Sequence, residues 1–450
     1  MSQRLELPQA TRDAGPGATR GPARFDSFQR EPMSSAVRAW LCLIASGDLA
    51  RPWPNVEPGW DELFQAVCRN GLVGLARRQL AAAARTGVSP PASFGRAIEQ
   101  ADAINRLRLA VMYRRIERVL GALADEGVSC ILLKGPALAY TVYPDPMLRS
   151  FTDLDVLVRH GDWAAVHRCM QQLGFTPERN AASPPPPVLR RTAVHEFKYV
   201  HEGQDFGVDV HYDDILNTGL TPRDVEGFWR RAVTACIRGL PVRVLSPEDQ
   251  LIQLCAHVHF HGYTRLNWLA DVAFIVRGSP RPLAWDRVVE TVRTEEAQVP
   301  VYYTLRLVER LLDVPAPAAV LEATRPDRLR RWWHERYLPE RRLLSLEPMP
   351  RPDFSFYFRP LFKRLLPDLL VMGRRRDKVA YLARLAVPPA PWLRYYYGLR
   401  DDQGLLRHYL LHPVKLFGQY LRSVLGSLRR IGNRGPTPAG VEPAAWWTDN

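Results

Sequence analysis

Two carboxylates separated by one residue, Asp153 and Asp155, open a short apolar stretch that ends at Val158. Residues two apart on a strand point to the same face of a sheet, so a strand starting here would hold both carboxylates side by side. Such close like charges raise each other's pKa unless a cation lies between them. Carboxylate oxygens suit Mg²⁺ or Mn²⁺, which also bind substrate phosphates. The pair predicts a metal site for a nucleotide phosphate, although Asp-x-Asp also occurs as a plain turn before a strand.

A glycine turn precedes these carboxylates. Ile131–Leu133 is a short apolar run that we predict to be a buried strand, and it ends at Lys134-Gly135. Glycine allows a positive φ and a close approach of the backbone to a ligand. A short helix over 137–143 should follow before the Asp-x-Asp strand, which would bring the turn and the carboxylates to one end of a sheet.

A third carboxylate, Asp209, lies in the middle of an alternating apolar and polar segment, 206–212. We predict that this segment forms a hairpin with 195–201. An acidic side chain between Val208 and Val210 destabilises a strand unless it is paired or binds a metal. Asp209 is therefore the third candidate for the site.

Together these motifs resemble the uncharacterised nucleotidyltransferase family of the DNA polymerase beta superfamily. The resemblance covers about residues 126–276. It implies an α+β fold, in which a polymerase-beta-like core of a small mixed sheet with helices is flanked by N- and C-terminal helical domains. The matching segments are Leu-Lys-Gly at 133–135, Tyr-Pro-Asp-Pro at 143–146, Arg149 before Asp153-x-Asp155, Val-Asp-Val-His at 208–211, and the stretches 245–257 and 265–271.

The family resemblance implies a metal-dependent transferase. Such an enzyme would move a nucleoside monophosphate from a nucleoside triphosphate such as ATP to an unknown hydroxyl or phosphate acceptor, releasing pyrophosphate, with Mg²⁺ or Mn²⁺ as cofactor. In the superfamily three carboxylates hold two divalent ions, and the third also orients or deprotonates the acceptor. Carried over, the ligands are Asp153, Asp155 and Asp209, the nucleotide contacts Lys134, Gly135 and Arg149, and the supporting or acceptor residues His211, His257, Arg265 and Asp271.

The turn departs from the superfamily pattern, which usually has Gly-Ser about ten residues before the first Asp. Here it is Gly135-Pro136, the gap is longer, and Pro136 has no N–H to donate to a phosphate. A phosphotransferase using the same site and a non-catalytic binding protein on a degenerate fold therefore stay open. A glycosyltransferase would need a nucleotide-binding α/β unit before Asp-x-Asp, whereas the preceding hundred residues have helical periodicity.

The helix predicted after Ser246-Pro247 carries His257 and His261 one turn apart. Such a pair could bind a metal, but no third ligand has an obvious spacing. His257 could instead join Arg265 and Asp271 in a polar cluster that lines the cleft or supports the carboxylates. A satisfied buried network between two helices is an equally good interpretation.

Composition indicates a multidomain protein of the cytoplasm. The chain has 450 residues, of which 46% are hydrophobic, and no apolar run approaches the length of a membrane span. The first residues do not resemble a signal peptide. Six cysteines without a Cys-x-x-Cys pair suggest reduced thiols and argue against a zinc site.

The formal charge of +14 is concentrated near the C-terminus, where 351–450 contains 17 Arg and Lys residues and 7 Asp and Glu residues. This basic region could contact a membrane surface or an acidic partner. Charge alone does not establish nucleic-acid binding, and we do not predict it, since the chain is arginine-rich throughout and has only five lysines.

The pattern of apolar residues and breakers divides the chain into six regions. Within the second region, a long helix should bury Ile104, Leu107 and Val111 on the same face as Ile116. We predict that it ends at Gly127, where glycine supplies the C-cap. The regions are a disordered tail (1–32), a helical N-terminal region (33–126), the nucleotidyltransferase core (127–240), a helical domain (241–345), a basic helical C-terminal region (346–430) and a disordered tail (431–450).

Overall fold

A computed structural model describes residues 33–83, 90–177, 196–201, 203, 206–212, 215–216, 224–278, 281–337, 369–397, 399–400 and 402–418. The two tails expected to be disordered lie outside these residues.

The described residues form an α+β fold around one mixed sheet, as predicted from the family resemblance. The strand order is β3-β4-β5-β2-β1-β7-β6. Two neighbouring pairs, β2 with β5 and β1 with β7, run parallel, and the other pairs run antiparallel. The strands are β1 (Cys130–Leu133), β2 (Asp153–Val158), β3 (Phe175–Pro177), β4 (Glu196–His201), β5 (Gly207–Tyr212), β6 (Val233–Ile237) and β7 (Leu240–Val244).

Helices precede, connect and follow these strands. Among the described helices, none is both long and apolar enough to cross a bilayer. The helices are α1 (Ser35–Ser46), α2 (Trp60–Arg69), α3 (Val73–Ala83), α4 (Ala92–Asp125), α5 (Lys134–Thr141), α6 (Trp163–Gln172), α7 (Val225–Arg231), α8 (Pro247–Phe260), α9 (Leu266–Gly278), α10 (Trp285–Glu295), α11 (Gln298–Leu312), α12 (Ala318–Thr324), α13 (Arg328–Tyr337), α14 (Arg375–Ala386) and α15 (Ala390–Tyr397).

Local sequence signals set the ends of the helices that border the sheet. Gly127, predicted to close α4, has a φ of 71° and donates its N–H to the carbonyl of Ala124 at 2.9 Å. A residue without Cβ adopts this left-handed conformation easily, and the chain then turns directly into β1. Ser246 caps α8 by accepting from the N–H of Asp249 at 3.2 Å, with Pro247 in the first turn.

The two faces of the sheet border different hydrophobic clusters. Ile131 and Leu157 belong to a cluster that includes α8, α9 and the N-terminal helices. Val156 and Val208, on the opposite face, belong to a cluster with α4 and α6. Because side chains alternate along a strand, Asp155 lies on the same face as Leu157, which is the face that borders α8 and α9.

The prediction for the inward face of α4 is partly wrong. Ile104, Leu107 and Val111 are exposed, whereas Leu109 and Ile116 are buried. Both sets have helical spacing, so periodicity alone could not choose between them. Tertiary packing buries the stripe that contains Leu109 and Ile116, because that side of the helix lies against α6 and the sheet.

Candidate functional site

The three predicted carboxylates lie on one face of two adjacent strands. Parallel pairing of β2 with β5 places Asp155 directly beside Asp209, and Asp153 lies two residues earlier on the same face. Asp155 and Asp209 are buried, and Asp153 is partly buried. The sequence predicted Asp153 and Asp155 on one strand face and Asp209 in another strand, and pairing of β2 with β5 brings Asp209 beside them.

Asp155 is held by two cationic or hydrogen-bonding partners. The Lys134 ammonium donates to its Oδ1 at 2.6 Å, and the Nε2 of His211 lies 3.0 Å from the same oxygen. Burial alone would raise the pKa of the Asp155 carboxyl, but the charge of Lys134 and the hydrogen bond from His211 outweigh burial and hold that pKa well below its usual range. Asp155 is therefore an anion at neutral pH, and His211 and Lys134 both contact its Oδ1.

At the turn into α5, the residue with a positive φ is not the one that we predicted. Lys134 takes the left-handed conformation, with a φ of 49°, whereas Gly135 does not. A Cβ on Gly135 would lie 2.7 Å from the Cβ of Phe151, so a side chain at 135 would collide with the loop before β2. Glycine is therefore required here for packing against Phe151. Lys134, which has the positive φ, places its ammonium on Asp155.

Lys198 is a candidate that the sequence did not reveal. It pairs with Asp209 across β4 and β5, and its Cε lies 3.2 Å from where a Cβ on Gly207 would be. Its side chain thus runs over Gly207 beside the carboxylate strands. Two of the chain's five lysines, Lys134 and Lys198, border the three carboxylates. The rarity of lysine in this arginine-rich chain is the one sequence signal that could have singled out Lys198.

Arg149 and Asp271 form a buried ion pair. The guanidinium donates from Nε and Nη2 to the two carboxylate oxygens, both at 2.6 Å, and a further nitrogen donates to the carbonyl of Ser150. The hydroxyl of Tyr143 donates to Asp271 at 2.7 Å. Burial would lower the pKa of Arg149, but the charge of Asp271 keeps it raised, so Arg149 remains a cation. The pair connects the loop before β2 to α9, and phosphate contact by Arg149 stays a prediction.

The histidines and Arg265 surround Trp268, in place of the predicted cluster with Asp271. The rings of His257 and His261 are centred 4.9 and 5.0 Å from that of Trp268, and the guanidinium of Arg265 lies 5.5 Å from the same ring. Burial and then the charge of Lys134 lower the pKa of His257 well below its usual range, so it is neutral at pH 7. The charge of Asp155 acts in the opposite direction on the His257 imidazole but does not outweigh burial.

The carboxylates fit a divalent ion in donor type. Three carboxylates from two adjacent strands supply the hard oxygen ligands that Mg²⁺ prefers. As they stand, the described side chains do not gather three potential ligands around one point. The Oδ1 of Asp155 already accepts from Lys134 and lies beside His211. A metal here would have to share Asp155 with the Lys134 ammonium.

An α+β fold whose mixed sheet carries carboxylates on adjacent strands fits the class of nucleotidyltransferase domains. The sequence model of the family described as "Uncharacterised nucleotidyltransferase" matches residues 57–313, more than half of the chain. The chain belongs to this family, which confirms the resemblance seen in its motifs. The match extends from α2 to the end of α11, well beyond the sheet. A search of the curated proteins found no match.

Proposed function

We propose that this chain transfers a nucleoside monophosphate from a nucleoside triphosphate to a hydroxyl or phosphate acceptor in the cytoplasm. An acceptor oxygen would attack the α-phosphorus, the bond from that phosphorus to the α–β bridging oxygen would break, and pyrophosphate would leave. The observation that supports this most directly is the adjacent placement of Asp155 and Asp209, bordered by Lys134 and Lys198.

The proposed roles follow from where each side chain lies. Lys134 and Lys198 would bind phosphate oxygens, because an ammonium is a compact, mobile charge suited to phosphate. Asp209 would orient the acceptor or accept its proton. Asp153, Asp155 and Asp209 would hold Mg²⁺ or Mn²⁺, which would neutralise charge on the triphosphate.

Two further groups have proposed roles outside the carboxylate strands. The neutral His257, which packs with Arg265 around Trp268, would line the part of the site that takes the acceptor. Arg149, through Asp271, would keep the loop before β2 in place and so position Asp153, two residues after Phe151.

Nucleotide binding is testable by thermal unfolding with each of the four ribonucleoside triphosphates, with and without Mg²⁺. A ligand at a hundred times its Kd stabilises the native state by about 2.7 kcal/mol, which moves Tm by several degrees. The shift should require the metal and vanish in Asp153→Asn/Asp155→Asn. Lys198→Met should weaken binding by about tenfold or more, since a charge-assisted hydrogen bond is lost. Asp61→Asn and Lys378→Met, which change the same residue types elsewhere, should leave the shift intact.

Transfer is testable with the nucleotide chosen by that screen, labelled in either its α- or its γ-phosphate, and a filtrate of small molecules as acceptors. Label from the α-phosphate in the product, with release of pyrophosphate, is expected. Label from the γ-phosphate would instead identify a phosphotransferase. Failure of every triphosphate to bind would contradict the proposal.

The Lys134–Asp155 ion pair favours one alternative, a non-catalytic nucleotide-binding protein. Lys134 already neutralises the carboxylate that a metal would need, so the cations alone could hold a nucleotide. This alternative predicts a thermal shift that is the same without Mg²⁺, and no transfer of either label.

A further inference from the structure

The helical segment 406–418 in the basic C-terminal region has one face fixed against α15. His412 is buried, and its Nδ1 lies 3.1 Å from the hydroxyl of Tyr397. The rings of His408 and Tyr397 are 4.9 Å apart, and the ammonium of Lys415 lies 4.7 Å from the same tyrosine ring. These contacts fix which side of the segment faces outward.

The outward side carries a stripe of large apolar residues. Leu406, Leu410, Val414 and Phe417 follow one another at helical spacing and are 74, 67, 67 and 66% exposed. Single exposed apolar residues are common on protein surfaces, but four in a line form a contiguous patch, which marks an interaction surface. We call these four residues the apolar stripe.

After Asp401 and Asp402, the charge of the helical segment and of the sequence that follows it to Val441 is of one sign. From Gln403 to Val441 the sequence has six Arg and Lys residues and no Asp or Glu. Two of them, Arg407 and Lys415, lie in the same helical segment as the apolar stripe, and both are exposed. An apolar stripe with nearby cations is complementary to a partner that has an apolar interior and an anionic surface.

We propose that the apolar stripe lies in the headgroup region of a membrane containing anionic lipids. A nucleic acid would be complementary to the cations but would leave four large apolar side chains in water, whereas a bilayer interface accommodates both. The inference does not depend on the proposed enzymatic activity. It describes a chain that binds to a membrane surface through one side of its C-terminal region.

The test is flotation of the full chain with vesicles of phosphatidylcholine alone or with about 30% phosphatidylglycerol. Binding is expected on the anionic vesicles and should fall as salt rises. Leu410→Ser/Phe417→Ser should reduce the partition coefficient by at least about tenfold. Arg407→Gln should reduce it by about fivefold. The matched control, Ile104→Ser/Leu107→Ser, removes two residues of α4 that are 68 and 72% exposed, and it should bind like the parent.

Three results would overturn this inference. The first is absence of binding to either vesicle, including the case in which only an RNA duplex or an acidic protein is bound. The second is equal loss of binding in the control and in Leu410→Ser/Phe417→Ser, because that would indicate general adhesion. The third is binding by Arg407→Gln that is as strong as that of the parent. This variant keeps the apolar stripe intact, so it tests the role of charge even if Leu410→Ser/Phe417→Ser unfolds. Circular dichroism would establish that each variant is folded.

Discussion

The buried pair of Arg149 and Asp271 makes a quantitative prediction about stability. Asp271→Asn keeps the shape of the side chain but removes its charge. The two side chains are 7 and 0% exposed, so the guanidinium would lose its counter-charge with little water to replace it. Removing one partner of such a pair typically costs about 3–5 kcal/mol. We expect Asp271→Asn to lower the free energy of unfolding by that amount. The loop that leads to Asp153 would also become looser, because Arg149 would no longer be held.

Two other ion pairs provide a graded comparison. Asp249 makes the same two-bond contact with Arg231, at 2.8 and 3.1 Å, but Arg231 is 23% exposed and also contacts Asp224. Asp249→Asn should therefore cost less, about 1.5–3 kcal/mol. The pair of Arg277 with Asp48 is partly exposed on both sides, with 3.7 Å between nitrogen and oxygen, so Asp48→Asn should cost less than about 1 kcal/mol.

Urea unfolding of the parent and the three variants, followed by circular dichroism and tryptophan fluorescence, measures this series. The loss in free energy of unfolding should be smallest for Asp48→Asn, larger for Asp249→Asn and largest for Asp271→Asn. If Asp271→Asn were no more destabilising than Asp48→Asn, the guanidinium of Arg149 would have another counter-charge or access to water. The reasoning from burial would then be refuted.

Two further predictions concern the turn and the carboxylate beside it. Gly135→Ala should lower the free energy of unfolding by about 1–3 kcal/mol, because its Cβ would overlap Phe151. The control Gly161→Ala has open space around it and should change that free energy by less than about 0.5 kcal/mol. Chemical denaturation measures both, and equal effects would contradict the packing argument. For Asp155, the pKa in the folded chain is depressed, so its pairing with Lys134 stabilises the fold fully above the unfolded pKa of about 3.9 and is lost as the pH falls below that value. The difference in Tm between the parent and Asp155→Asn should therefore be constant from about pH 7 to about pH 5 and narrow from there to about pH 2. A difference that stays constant over the whole range would count against the ion pair.

Much of the core could be predicted because its signals are local. The two-residue period of a strand placed Asp153 and Asp155 on one face, and the alternation over 206–212 predicted the hairpin that contains Asp209. Gly127 and Ser246 predicted two helix boundaries from backbone requirements alone. Each of these signals depends on residues close together in the chain, so no knowledge of the fold was needed.

The rest was decided by contacts between distant segments. Pairing of β4 with β5 placed Lys198 beside Asp209, and docking of α9 placed Asp271 on Arg149, which lies 122 positions earlier. The sequence suggested a cluster of Asp271 with His257 and Arg265 and did not reveal its pairing with Arg149. The amino-acid sequence determined which side chains share a strand face or a helix end. Only tertiary packing decided which faces meet, because that choice depends on the total apolar surface buried and on the partners available to every buried charge.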